Sequence, residues 1–162
     1  MKKLLALLLT ALLLCGCGSS TTAERDATFY YPKKNYLNSI SESVMGSEER
    51  DCADESTEYL LRLYLLGPLD EHLESLYPQN TQLLEAKSSG STLTVTLSDT
   101  GNHMTDAAFT LAGACLAQTF LERYSAVTIR SGDREVTFQP DTMVLEDTTA
   151  TLDNDSKKED AQ

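Results

Sequence analysis

Asp99, His103 and Asp106 form a grouping of carboxylates and imidazole close in the chain. Two carboxylates and one imidazole are a donor set that can hold a divalent metal. Their setting argues against that chemistry. The three span a Gly-Asn loop and the start of a helical pattern, where Asp99 is a natural turn residue and Asp106 a natural first-turn residue, so no metal site is expected. His72 falls between Glu71 and Glu74 and reads as part of a solvated helix face. A Ser-His-Asp hydrolase needs its nucleophile on a sharp turn beside a positioned base; no Gly-x-Ser-x-Gly occurs, and neither histidine has that context. No Gly-rich phosphate loop or cofactor motif is recognisable either, and the expectation is a chain with no catalytic set and no cofactor. Glu48, Glu49 and Asp51 surround Arg50 and read as surface ion pairs, which contribute little. Tyr30, Tyr31 and Tyr36 are of a type enriched at interfaces, but packing of alternate ones in a core is the favoured reading.

The thiols say more. Lys2 and Lys3 precede an apolar run over 4–14, and Gly16 then stands directly before Cys17. A basic start, a short apolar stretch and a small-residue cleavage site read as a secretory signal peptide. The run is too short to span a bilayer, which takes about 20 apolar residues. Leu14-Cys15-Gly16-Cys17 resembles the lipobox of bacterial lipoproteins. That resemblance implies cleavage between Gly16 and Cys17, a diacylglyceryl group on the Cys17 sulfur, and a chain anchored through its lipid on the outer face of the cell membrane. Cys15 would leave with the leader. Residues 18–26 are polar and read as a flexible tether, with a reach of about 15–18 Å for a nine-residue coil. Cys52 and Cys115 would remain. An extracytoplasmic setting permits a disulfide between them. Cys115 lies on the apolar face of an expected helix, however, where a buried free thiol is ordinary.

The chain carries a formal charge of −12, and loss of Lys2 and Lys3 takes this to about −14. Nucleic acid, which calls for clustered Lys and Arg, is excluded as a partner. Anionic lipid heads are equally unsuited, so the lipid itself would do the anchoring. The acidity is strong over 146–162, which has no apolar periodicity and reads as a disordered, solvating tail. The organisation expected is a leader over 1–16, a lipidated residue and tether over 17–26, one domain over 27–145 and the tail.

Within the domain, residues 27–32 are aromatic and β-prone, and 36–40 are a candidate second strand. Residues 41–52 carry no assignable pattern. Ser56 is a good N-cap for a helix over 59–66, which Gly67-Pro68 ends. Leu69, Leu73 and Leu76 suggest a short second helical piece over 69–77. Residues 82–87 and 93–97 flank Ser88-Ser89-Gly90-Ser91 as a hairpin, and 127–130 and 135–138 flank Ser131-Gly132-Asp133-Arg134 as another. Between them Thr105 caps a helix over 105–124, with Ala108, Leu111, Ala112, Cys115, Leu116, Thr119 and Phe120 as its apolar stripe. Small residues there let it lie close to a sheet. Residues 143–145 suggest a short edge strand. The expected class is α/β, an α+β two-layer fold: a sheet of about four to five strands with two helices on one face. Its other face is expected to be polar, carrying Thr94, Thr96, Thr128, Arg130 and Thr137.

Several motifs in sequence order resemble the GerMN domain of lipoproteins linked to sporulation and spore germination. They are Thr28-Phe29-Tyr30-Tyr31-Pro32, Leu60 through Leu66-Gly67-Pro68, Tyr77-Pro78-x-x-Thr81-x-Leu83, Gly90 through Ser98, the run from Leu111 to Phe120, and Val127-Thr128-Ile129 with Gly132. Two stretches depart from the family: Val95-Thr96-Leu97-Ser98 stands where Val-Asp-Leu-Ser is frequent, and Arg130-Ser131-Gly132 where Val-Asp-Gly is, so Thr96 and Ser131 occupy the acidic positions. The resemblance implies a compact α/β fold and no enzyme activity. It implies a membrane-anchored interaction or assembly module of the cell envelope, acting through envelope proteins or self-association, with binding of a cell-wall fragment or small ligand as the alternative. Thr94, Thr96, Thr128 and Arg130 are the candidate interaction face.

Overall fold

A computed structural model of the protein describes residues 26–35 and 43–142. The leader, Gly16, Cys17, the tether, the strand expected over 36–40, the edge strand expected over 143–145 and the acidic tail lie outside the described residues. Six strands and two helices follow in order: β1 (Asp26–Pro32), β2 (Met45–Asp51), α1 (Thr57–Leu65), β3 (Leu83–Ser89), β4 (Thr92–Leu97), α2 (Asp106–Phe120), β5 (Ala126–Ser131) and β6 (Arg134–Phe138). The fold is of the mixed α+β class.

β3 to β6 form a four-stranded sheet in sequence order. Its outer pairs are the two hairpins, each turning at a glycine with φ of +59°, Gly90 and Gly132, a conformation glycine adopts without steric cost. The inner pair, β4 and β5, is parallel, so it needs a crossover, and α2 supplies it. Strict alternation sets the two faces of this sheet. Leu93, Val95 and Leu97 on β4 and Val127 and Ile129 on β5 are buried, while the residues between them point the other way.

β1 does not join that sheet. It pairs antiparallel with β2 as a separate two-stranded ribbon, with Asp26 opposite Asp51 and Pro32 opposite Met45. The four-to-five-strand expectation thus resolves into a four-strand sheet and a two-strand ribbon. β2 occupies residues that carry no apolar pattern, for a reason that lies in Glu48 and Arg50, described below.

α2 joins the two sheets. Thr105 caps it, accepting from the Ala108 amide at 3.2 Å. Phe109, Ala112 to Ala117 and Phe120 are all buried, so the helix is enclosed on more than the single stripe expected. Thr119 faces the ribbon and accepts a hydrogen bond from the Tyr30 amide at 3.1 Å. Gly113 faces the sheet: a Cβ there would stand 2.9 Å from the Phe138 ring and 3.3 Å from Val136. Gly113→Val is therefore expected to lower stability by about 2 kcal/mol or more, an overpacking cost, whereas Gly113→Ala regains up to about 1 kcal/mol of helix propensity against a smaller clash. Thermal denaturation of both variants checks this ordering.

Residues 69–77 are not helical, contrary to expectation. Their backbone groups bond to β1 and the residues that follow it instead. Leu73 forms a bridge with Lys33, the Glu74 amide donates to the Pro32 carbonyl at 2.9 Å, and the Lys34 amide donates to the His72 carbonyl at 2.8 Å. Of the expected stripe Leu73 is buried and Leu76 half-buried, but Leu69 is 80% exposed, and Tyr77, outside that stripe, is buried instead.

Candidate functional site

The open face of the four-stranded sheet is built by alternation and register. Each inward apolar residue places its neighbours on the opposite face. One cross-strand row reads Glu85, Thr96, Arg130, Glu135; the next reads Lys87, Thr94, Thr128, Thr137. The structure thus brings all four candidate face residues, Thr94, Thr96, Thr128 and Arg130, onto one surface in two adjacent rows. Thr128, on a central strand, is 9% exposed and its hydroxyl bonds that of Thr137 at 2.9 Å. Arg130 is ion-paired with Glu135 across the hairpin, both about half exposed, a geometry worth little to stability. Glu85 and Lys87 complete the rows with opposite charges. The face is therefore near neutral on a strongly acidic molecule, and it offers hydroxyls, one guanidinium, one ammonium and two carboxylates for hydrogen bonding. It holds no nucleophile–base pair. Its β3 edge is interrupted at Leu84, where the register shifts between Leu83 and Glu85, a device that discourages indiscriminate strand pairing.

The other residues singled out from sequence do structural work. Asp106 bonds Arg134 at 2.6 Å. Arg134 also donates to the carbonyls of Gly101 and Met104, both at 2.8 Å, and lies 4.3 Å over the Phe109 ring. Asp99 sits against the Gly132 turn, and His103 ends a short 3₁₀ turn. No cluster of three or more metal-ligating side chains occurs among the described residues. His72 is exposed and contacts Asp70 at 2.9 Å; the His72 amide, then its ring, hold the Asp70 carboxyl below its usual range. Tyr31 is core: it stacks on Tyr64 at 4.5 Å between ring centres and donates to the Tyr64 carbonyl at 2.8 Å. Tyr30 is half-buried, and Tyr36 lies outside the described residues.

Cys52 and Cys115 are free buried thiols, not a disulfide. Cys52 follows β2 and its Sγ donates to the Arg50 carbonyl at 3.4 Å. Cys115 lies mid-helix among Tyr64 and Tyr77, and burial pushes its thiol up to about 12. Different elements hold them in different surroundings.

Arg50 and Glu48 overturn the surface-pair expectation. Their side chains are 5% and 9% exposed and ion-paired. Arg50 also donates to the Gly67 carbonyl at 2.7 Å, to the Leu63 carbonyl at 3.3 Å and to the Tyr31 hydroxyl at 3.3 Å, and it lies 4.9 Å over the Phe29 ring. Glu48 accepts from the amides of Leu69 and Asp70, at 3.0 and 2.7 Å. This pair joins the ribbon to the end of α1 and the turn after it. Beside that turn lies a cleft of about 480 Å³, lined among others by Leu65, Leu66, Pro68, Leu73 and Tyr77. The sequence signal that could have found the pair is the Glu-x-Arg spacing, which puts both side chains on one face of a strand.

No family model matches the chain, and no curated protein does. Among solved structures the chain is similar to the "Putative Lipoprotein from Clostridium perfringens", at 14% sequence identity and a TM-score of 0.45, over 77% of this chain and 93% of that one. It is also similar to the tandem GerMN domains of the sporulation protein GerM from Bacillus subtilis, at 16% identity and a TM-score of 0.51, over 74% of this chain and 43% of that one. This chain thus spans less than half of the tandem structure, and its fold is GerMN-like.

Proposed function

We propose that this chain is a non-catalytic interaction module, tethered to the outer face of the cell membrane through a lipid on Cys17, that helps assemble or position an envelope complex in sporulation or spore germination. The observation that carries the reading is the GerMN-like fold. The lipobox-like Leu14-Cys15-Gly16-Cys17 supports the tether, since each buried CH₂ contributes about 0.8 kcal/mol and two acyl chains hold durably. Confining the domain near a membrane raises its effective concentration toward partners confined there. The near-neutral rows bearing Thr94, Thr96, Thr128 and Arg130 are the surface on which an envelope protein or a second copy would rest.

In-cell crosslinking of the chain, followed by mass spectrometry of what it retains, tests this, with Cys17→Ala as the untethered control. The expected result is a defined set of envelope proteins, lost with Cys17→Ala and weakened when Thr94 and Thr128 are both changed to Lys. Recovery of the bait alone, together with a monomeric purified protein, overturns the reading. The second reading, capture of a cell-wall fragment or small ligand, is favoured by the cleft of about 480 Å³ beside the end of α1. A rise in melting temperature with soluble wall fragments separates it from the first.

A further inference from the structure

Leu66 and Leu69 are 82% and 80% exposed, and only two residues, Gly67 and Pro68, separate them. Two leucines standing almost wholly in water on one turn are a cost unless something covers them. The turn is not free to tuck them in. Gly67, at a φ of +89°, ends α1 with its amide on the Tyr64 carbonyl at 3.0 Å. Its own carbonyl is held by Arg50, and the amides of Leu69 and Asp70 are held by Glu48. A buried ion pair therefore fixes the backbone on both sides of Pro68 with the two side chains pointing out. Leu66 also forms part of the rim of the adjacent cleft.

We propose that the turn over 66–69 is a docking knob, its two leucines seating in an apolar pocket of a partner protein whose rim is basic. Charge sets the rim. Asp70 and Glu71 are exposed beside Leu69, and Glu74 lines the cleft with Lys34 as the opposing charge. Those carboxylates disfavour an anionic membrane surface as the occupant. Placement disfavours it as well. The chain enters β1 at Asp26, whereas the segment after the turn is fastened to Lys33 and Pro32 at the other end of that strand, about 20 Å away for seven residues. The knob goes beyond the assembly reading in naming a second surface, apart from the polar sheet face.

The test uses the full chain carrying Cys17→Ala and a fluorescently labelled amphipathic Leu/Lys helical peptide as the probe. A Leu/Glu peptide of the same length and phosphatidylglycerol vesicles run beside it. Binding of the Leu/Lys peptide is expected to weaken about tenfold or more in Leu66→Ser/Leu69→Ser. It should be unchanged in Leu84→Ser, which removes the third large exposed apolar side chain among the described residues, 62% exposed. The double variant should keep its melting temperature within about 2 °C, because exposed positions contribute little. Equal peptide binding by wild type and double variant, no binding at all, equal binding of the Leu/Glu peptide, or vesicle binding lost with the two leucines each overturns the knob. The envelope crosslink reads the assembly proposal separately: partners retained by the double variant leave that reading standing while the knob falls.

Discussion

Alkali is expected to unfold this domain cooperatively between about pH 10 and 12, well before most of its buried acids would ionise in the folded state. Burial raises the phenols of Tyr31, Tyr64 and Tyr77 above their ordinary value of 10.0. It raises the Cys115 thiol from 9.0 to about 12. Each group keeps its proton in the fold and loses it in the unfolded chain. The folded state therefore binds more protons above pH 9, and stability falls as pH rises. The contribution is fully present below the unfolded values and disappears on the way up to the folded ones. Each group beyond its unfolded value costs about 1.4 kcal/mol per pH unit. At pH 11 Tyr31, Tyr77 and Cys115 together cost roughly 5 kcal/mol, comparable to the stability of many domains, about 5–15 kcal/mol, and Tyr64 adds in the same direction. Circular dichroism and near-ultraviolet phenolate absorbance, followed together, check this. Among the described residues the three buried tyrosines, Tyr31, Tyr64 and Tyr77, should ionise only in step with loss of structure. Tyr77→Phe sharpens the test. The Tyr77 hydroxyl is the one fully buried side-chain polar atom without a hydrogen-bond partner among the described residues. Its removal should stabilise the protein at neutral pH by about 1 kcal/mol and shift alkaline unfolding upward. Phenolate appearing for all tyrosines with the fold intact would refute the prediction.

Arg50→Ala is expected to cost about 3–5 kcal/mol, among the largest single losses available here, because removing one member of a buried pair strands the other. It leaves the Glu48 carboxylate, 9% exposed, without its guanidinium. It also strips donors from the carbonyls of Leu63 and Gly67. The melting temperature should fall by more than about 10 °C. Glu48→Gln keeps an acceptor for the Leu69 and Asp70 amides and should cost less. A double change to apolar residues, Arg50→Met with Glu48→Leu, should recover some of the Arg50→Ala loss, although those two amides then go unpaired. Denaturant titration of the set checks the order. A loss under about 1 kcal/mol for Arg50→Ala would mean that the pair is an ordinary surface contact.

The same pair explains where the sequence is hard to read. In the two hairpins the inward positions of the central strands are apolar, so alternation gives strands, faces and turns together, and the open face bearing Thr94, Thr96, Thr128 and Arg130 follows from it. The cap at Thr105 and the stop at Gly67-Pro68 are equally local. β2 is the opposite case. Its inward positions include Glu48 and Arg50, so a buried strand looks like a charged loop. The turn after α1 is illegible for a linked reason: the amides of Leu69 and Asp70 are taken by Glu48, which is 21 and 22 residues away in sequence. Periodicity over 69–77 reports burial correctly at Leu73, wrongly at Leu69, which is 80% exposed, and secondary structure wrongly. The buried acids are partly legible, since Tyr31 and Tyr64 fall on apolar patterns. That Cys52 and Cys115 stand apart is a property of the packing, which spacing alone does not encode.

The separateness of the ribbon has a mechanical meaning. Tension on the segment ahead of Asp26, with the sheet face held by a partner, would load β1 at its open end, at the Asp26–Asp51 pair. Bonds in such a ribbon break in succession, each worth about 1 kcal/mol net, instead of sharing the load. The strand would peel from β2 and from Thr119 of α2, baring Phe29 and Tyr31, before the four-stranded sheet opens. The ribbon would thus act as a fuse where the chain enters the domain, with the four-stranded sheet behind it.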